Sequence, residues 1–304
     1  MSWRIVVISK RCKLDLKMGY MVVRSEETKR IYLDEISMVI IENIAVSITG
    51  CLLAELNERK IKVILCDEKR NPASELVSLY GSHDCSLKIK KQIGWTSDIK
   101  ASVWTEIVSE KIRNQSLLLR EVNQSNAAEM LNGYIKEIKF NDATNREGHA
   151  AKVYFNALFG MNFNRNADNA INAALNYGYS IILSAVNREV VSNGYLTQLG
   201  LFHDNMFNQF NLSCDIMEPL RILMDRLVYH ENFTMFNSDE KHKVVNILNE
   251  TIYIDGSKYT FLNAIKIYCK SIFDALNDND TSLIQFYRSV SYTHLRAHET
   301  SAHL

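Results

Sequence analysis

Residues 61–72 read Ile61-Lys62-Val63-Ile64-Leu65-Cys66-Asp67-Glu68-Lys69-Arg70-Asn71-Pro72, and the fold turns on this stretch. Its first half is a short run rich in β-branched residues, the pattern of a strand buried within a sheet. It then breaks into a polar loop closed by one of only two prolines in the chain. Upstream, strand-like alternation fits residues 3–9, 13–16, 20–24, 29–33 and 38–41, with turns at Met18-Gly19 and Ser25-Glu26-Glu27. One helix fits residues 50–60, with Leu52, Leu53 and Leu56 at core spacing and Ser47 or Thr49 near its start. Downstream of Leu79-Tyr80-Gly81-Ser82-His83 the apolar period changes to about 3.6 residues. Helices are predicted at 87–93, 98–122, 126–134, 146–158, 167–189, 204–210, 218–229, 239–248 and 258–276, with a hairpin signal at Asp255-Gly256. The expected class is α+β: a small β-rich domain over residues 1–75, a linker over 76–86, and a larger all-α domain over 87–289.

With 304 residues, 47% of them hydrophobic and 10% aromatic, the chain has enough apolar material for a large core, which excludes disorder. Thirty-five basic residues balance 35 acidic ones, which argues against a surface coated for non-specific nucleic-acid binding. Between residues 88 and 120 seven basic residues (Lys88, Lys90, Lys91, Lys100, Lys111, Arg113, Arg120) face three acidic ones, a pattern read as a solvated helix face. The six cysteines show no paired spacing and read as free thiols of a reducing cytoplasm. Neither a signal peptide nor a bilayer-spanning run is expected, so the reading is of a cytoplasmic protein without a membrane partner. Residues 290–304 contain Val-Ser-Tyr-Thr-His-Leu-Arg-Ala-His-Glu-Thr, one translated frame of a common sequencing adapter. They are expected to be a non-native tail, so His294, His298 and His303 are set aside as metal ligands.

Three polar segments carry the chemistry. Glu147 lies in Asn145-Arg146-Glu147-Gly148-His149, His203 in Leu201-Phe202-His203-Asp204-Asn205, and Asp215 and Glu218 in Asp215-Ile216-Met217-Glu218-Pro219-Leu220-Arg221. Carboxylates with one imidazole suit magnesium or manganese. Each also has a plainer reading. A glutamate in a first helical turn compensates the helix dipole, a histidine after an apolar run is more often a core residue, and Glu218 before Pro219 suits a cap. Between these segments lies an asparagine-rich run in which Asn162, Asn166, Asn169 and Asn176 share a helical face, either as caps or as a polar wall beside phosphates.

Taken together these segments resemble the CRISPR adaptation integrase, the Cas-one endonuclease family, in the style of type II systems. The resemblance rests on Arg146-Glu147-Gly148-His149, on Asp168, Asn172 and Leu175-Asn176-Tyr177-Gly178-Tyr179, on Leu201-Phe202-His203, and on residues 215–221. Trp3-Arg4, Lys13-Leu14, residues 66–72 and Gln92-Ile93-Gly94-Trp95 also match, so it spans residues 2 to 289. Asn169 stands where many relatives carry proline, and Glu218 where type I relatives carry aspartate. The resemblance implies Glu147, His203 and Glu218 as catalytic metal ligands for Mg2+ or Mn2+, and Asp215 as a residue that supports a ligand from behind or is an alternative ligand. Arg146, Arg165, Asn166, Asn169 and Arg221 are the expected DNA contacts. The implied protein is a homodimer through residues 1–75, with residues 87–289 catalytic. Its implied partners are double-stranded DNA (prespacer and CRISPR repeat), a Cas-two dimer and other type II Cas proteins. Its implied reaction joins 3′-hydroxyl ends of captured DNA to the repeat. The alternatives are a general metal-dependent nuclease or junction resolvase, and a DNA-capture scaffold without catalysis.

Overall fold

The alternating N-terminal runs build two sheets. In the computed structural model, which describes residues 4–79 and 82–288, the first strands are β1 (Arg4–Ile8), β2 (Lys13–Lys17), β3 (Tyr20–Arg24), β4 (Thr28–Tyr32), β5 (Ile36–Ile41) and β6 (Ser47–Ile48). Strands β2, β3 and β4 form an antiparallel meander, and β6 adds to β2 in parallel. The β2–β3 turn has positive φ at both Met18 (50°) and Gly19 (78°), the geometry whose twist matches a tight hairpin. Helix α1 (Gly50–Glu58) follows, with the Thr49 hydroxyl accepting from the Leu52 N–H. It leads into β7 (Lys62–Cys66) and β8 (Pro72–Leu76). The second sheet runs β1-β5-β7-β8, parallel except for β8. Pro72, expected to close a loop, instead opens β8, because an edge strand tolerates a residue without an N–H.

All six residues of β5 are buried, the mark of a central strand covered on both faces. On one face Val6, Leu14, Met21, Val39, Leu52, Leu56 and Val63 form a shared core between the two sheets and α1. On the other face α6 (Ala170–Ser192) packs on β7 and β8. It follows α2 (Cys85–Ile93), α3 (Ser97–Glu121), α4 (Ser125–Glu137) and α5 (Arg146–Phe159) in the chain. Under α6 the buried ammonium of Lys62 pairs with Glu75, which also accepts from Ser184 Oγ (2.6 Å) and Asn187 Nδ2 (3.2 Å). Burial holds the Lys62 pKa below the ordinary lysine value, against the pull of Glu75.

Helices α7 (Asn211–Met217), α8 (Arg221–Glu231) and α9 (Ser238–Asn246), hairpin β9 (Thr251–Ile254)–β10 (Ser257–Thr260) and α10 (Phe261–Asp278) complete the order. Two compact units result, one of the chain to Gly94 with Asn164–Val244, the other of Trp95–Phe163 with the chain from Val245. These units divide the chain elsewhere than the change of periodicity does. In the second unit α3 packs against α4, α5 and α10.

Helix α7 is not among the expected helices, and the helix expected at 218–229 becomes a 3-10 turn followed by α8; two further differences have local reasons. Residues 204–210 are not a helix: Asn205 Oδ1 accepts from the Phe207 N–H and Asn208 Oδ1 from the Phe210 N–H, both at 2.9 Å. Such side-chain turns compete with helix formation. Residues 257–260 pair as β10, so the last helix begins at Phe261 behind the Thr260 cap. Among the described residues no helix is long and apolar enough to cross a membrane. Trp3 and the expected tail at 290–304 lie outside the described residues.

Burial grades the cysteines: Cys51 is exposed, whereas Cys12, Cys66 and Cys269 are buried. Burial, then the Glu42 charge, pushes the Cys66 thiol up to about 12. Only the thiolate reacts with a disulfide reagent. At pH 8 the native protein is therefore expected to label at Cys51 first, and at Cys66 only once guanidinium is added. Peptide mass spectrometry reads the sites, and equal rates at Cys51 and Cys66 would contradict the buried strand end.

Candidate functional site

The geometry around His203 is set by one carboxylate. Asp215 sits on α7, a helix buried at six of its seven residues, and is itself fully buried. Its Oδ2 accepts from the N–H groups of Leu201 (2.6 Å) and Phe202 (3.1 Å). Its Oδ1 accepts from the His203 N–H (3.3 Å) and lies 2.5 Å from His203 Nδ1. Four donors thus use the four acceptor positions of a carboxylate. With Nδ1–H donating to Asp215, the neutral ring carries its lone pair on Nε2, the usual tautomer and orientation of a ligating histidine. Gly200 is required here: a Cβ would collide with the His203 carbonyl and stand 2.8 Å from Asp215 Oδ2. Asn211 Nδ2 donates to the carbonyls of Gln198 and Asn205 (both 3.1 Å), and Gln92 Nε2 to those of Leu196 (2.9 Å) and Leu199 (3.3 Å). A loop with little regular structure is thereby fixed.

Glu218 follows α7 in a 3-10 turn, Glu218–Leu220, with Pro219 in its first positions, as the sequence suggested. Its side chain is 6% exposed and its Oε1 is 2.9 Å from Arg221 Nη2. The Arg221 guanidinium lies 4.7 Å from the centre of the Tyr179 ring, and that of Arg165 5.5 Å from the same ring. The Tyr179 hydroxyl donates to Asp225, and burial, then the Asp225 charge, raises its pKa well above the usual phenol. Arg165 also donates to Asn172 Oδ1 (2.5 Å) and Asn176 Oδ1 (2.8 Å). The asparagine run is therefore a clamp for Arg165 and a set of caps. Asn169 Oδ1 accepts from the Asn172 N–H (2.8 Å) as the N-cap of α6, so Asn162, Asn166 and Asn169 precede the helix and share no helical face with Asn176.

Glu147 lies in the other unit, in the first turn of α5. Asp142 caps that turn, with Oδ1 accepting from the Arg146 N–H (2.8 Å) and Oδ2 from the Glu147 N–H (3.0 Å). Asn145, at a left-handed φ of 51°, accepts from the Gly148 N–H (3.3 Å). The Glu147 carboxylate receives Lys111 Nζ at 2.6 Å. Lys111 is the basic residue that the sequence placed on a solvated face and the structure buries, at 9% exposure. The signal lay in the spacing: seven residues separate it from Trp104 and again from Leu118, both buried on α3.

The structure thus joins His203 to Asp215 and Glu218 to Arg221, and places Glu147 with Lys111. Among the described residues no group of three or more His, Cys, Asp or Glu side chains is arranged as a ready metal-binding cluster. Taken singly, each donor is of the kind a hard divalent ion accepts: the imidazole of His203 oriented by Asp215, and the carboxylate oxygens of Glu218 and of Glu147. Of the expected DNA contacts, Arg146 lies 2.9 Å from Glu137 and 5.5 Å above the Tyr134 ring, and Arg221 and Arg165 hold internal partners. Asn169 is a cap, and Asn166 is exposed.

Residues 5–244 match the family described as CRISPR associated protein Cas1. Over 232 residues, 76% of each chain, the sequence is 39% identical to a CRISPR-associated endonuclease Cas1 of Neisseria meningitidis serogroup C (strain 8013). The fold is similar to that of a casposase bound to integration product, with TM-score 0.76 at 15% identity over 100% of both chains. It is also similar to a chain of a Cas6-RT-Cas1–Cas2 complex, with TM-score 0.72 at 16% identity over 95% of this chain and 36% of that one.

Asp215→Asn keeps the shape and removes an acceptor from a fully buried site. It is expected to lower stability by about 1–3 kcal/mol and Mn2+ affinity by about 10–100-fold. His203→Ala, at a side chain 42% exposed, is expected to lose affinity with a stability change within about 1 kcal/mol. Urea unfolding and the electron paramagnetic resonance signal of free Mn2+ read the two effects apart.

Proposed function

This chain belongs to the Cas1 family of CRISPR-associated proteins, and we propose that it uses Glu147, His203 and Glu218 to hold the divalent ion of its reaction. As a member of that family it is an enzyme, an endonuclease and integrase of CRISPR adaptation. The metal is Mg2+ or Mn2+, and the reaction is transesterification: the 3′ hydroxyl of captured foreign DNA attacks a phosphate of the repeat, a new phosphodiester forms, and the cut strand leaves on its own 3′ oxygen, which takes up a proton. The observation that supports this ligand set best is Asp215, whose bond to Nδ1 leaves His203 to ligate through Nε2. A bound divalent ion supplies Lewis acidity at the phosphate and charge for the attacking and leaving oxygens.

The chain's own residues provide the remainder. Asp215 and Gly200 hold the imidazole in place, and Arg221 steadies Glu218 from the Tyr179 ring. Arg146, Arg165, Asn166, Asn169 and Arg221 are proposed to lie along the DNA, where guanidinium groups meet phosphates. Double-stranded DNA and a Cas-two dimer are the proposed partners, in keeping with the solved relatives named for an integration product and for a Cas1–Cas2 complex. Other type II Cas proteins are further candidates. Residues 1–75 are proposed to form the homodimer contact, since each of the two sheets presents edge strands.

Strand transfer with a free 3′-hydroxyl donor tests the reading. Glu147→Ala, His203→Ala and Glu218→Ala are each expected to reduce joining at least about 100-fold while duplex binding persists. Joining at the wild-type rate would remove that residue from the ligand set. Hydrolysis without joining would favour a nuclease or resolvase. Sedimentation at micromolar concentration is expected to give a dimer, and a monomer would count against the assigned contact.

A further inference from the structure

Lys111 is an unusual residue for its position. It occupies the stripe of α3 that also holds Trp104, Ile107 and Leu118, all buried, and only 11% of its side chain is exposed. A lysine taken out of water at such a place destabilises the fold unless an anion receives it. Glu147 Oε1 receives it at 2.6 Å, from a carboxylate itself only 21% exposed. The first turn of α5 is fixed by Asp142 and Asn145, so Glu147 is delivered to Lys111 from a rigid base.

We infer that Lys111 is the resident counter-ion of Glu147, a built-in cation that competes with the divalent ion for this carboxylate and so sets the metal affinity of the site. The inference rests on the assignment of Glu147 as a ligand. A unit positive charge this close makes it harder for a second cation to approach the same carboxylate oxygens. A divalent ion approaching the same oxygens meets that field with twice the charge. Lysine suits the role better than arginine, because its single compact charge on a flexible stem can withdraw when another cation arrives. The pairing also explains how Glu147 folds into a half-buried position before any ion is bound.

The test uses the full chain stripped of metal by chelation, with Mn2+ as the probe and the resonance signal of free Mn2+ as the readout. Lys111→Met, similar in shape and uncharged, is expected to tighten Mn2+ binding at least about ten-fold, and to lower the metal-free melting temperature more than the Mn2+-saturated one. Lys111→Gln provides a second neutral variant should the first fold poorly, with the same direction expected. Glu147→Gln is the control for the underlying assignment and is expected to weaken binding sharply. If Glu147→Gln weakens binding while both neutral variants of Lys111 bind Mn2+ no more tightly than wild type, the competition is overturned and the ligand assignment stands. If Glu147→Gln binds as wild type does, the ligand assignment itself falls, and the competition with it.

Discussion

The fold depends on a strand that no single partner layer can satisfy. β5 is buried along its whole length, so both faces of its sheet need apolar cover. The second sheet and α1 supply one cover. The other comes from α6, more than a hundred residues further along the chain, and its arrival on β7 and β8 places residues 164–244 in the same compact unit as the strands. Much follows from that requirement: α6 brings Tyr177, Tyr179 and the asparagines that clamp Arg165, and α7 and α8 pack on α6. Gly178 permits the approach of α8, since any Cβ there would overlap the Met224 side chain.

Within this frame several charged groups are buried in matched sets. Asp215 meets four donors, Glu75 meets Lys62, Ser184 and Asn187, and Glu147 meets Lys111. Glu110, wholly buried on α3, meets Arg113 and Arg288, yet burial still holds its pKa above the usual carboxylate value. A buried ion pair contributes less to net stability than its Coulomb attraction suggests, but removal of either partner leaves an uncompensated charge. These sets therefore specify which elements meet more than they strengthen the meeting.

The balanced overall charge has a related meaning. A chain with 35 residues of each sign can place single charges where chemistry needs them without a strong field over its whole surface. At His203 the carboxylate of Asp215 fixes ring orientation, and at Glu218 a guanidinium stacked on Tyr179 holds a carboxylate. Both are preorganising contacts, made by the protein to itself, and they limit how far the His203 ring and the Glu218 carboxylate move when another charge arrives.

The sequence by itself determined whatever local physics encodes. Alternation placed β1 to β5, two consecutive positive-φ residues closed the hairpins at Met18-Gly19 and Asp255-Gly256, and the cap of α1 was legible as Ser47 or Thr49, of which the structure uses Thr49. The motifs around Glu147, His203 and Glu218 were enough to suggest the family. Where two local signals competed, the reading failed: asparagine turns replaced a helix at residues 204–210, and Pro72 began a strand. Only the tertiary structure decided that Asp215 orients His203 across twelve residues and that Lys111 lies on Glu147 across thirty-six. It also decided that the middle of the chain covers the N-terminal sheet. Periodicity states which face of a helix or strand is buried, but not against what. A buried charge acquires its partner only when distant elements close on it, and that pairing leaves no local trace beyond one lysine at an apolar spacing.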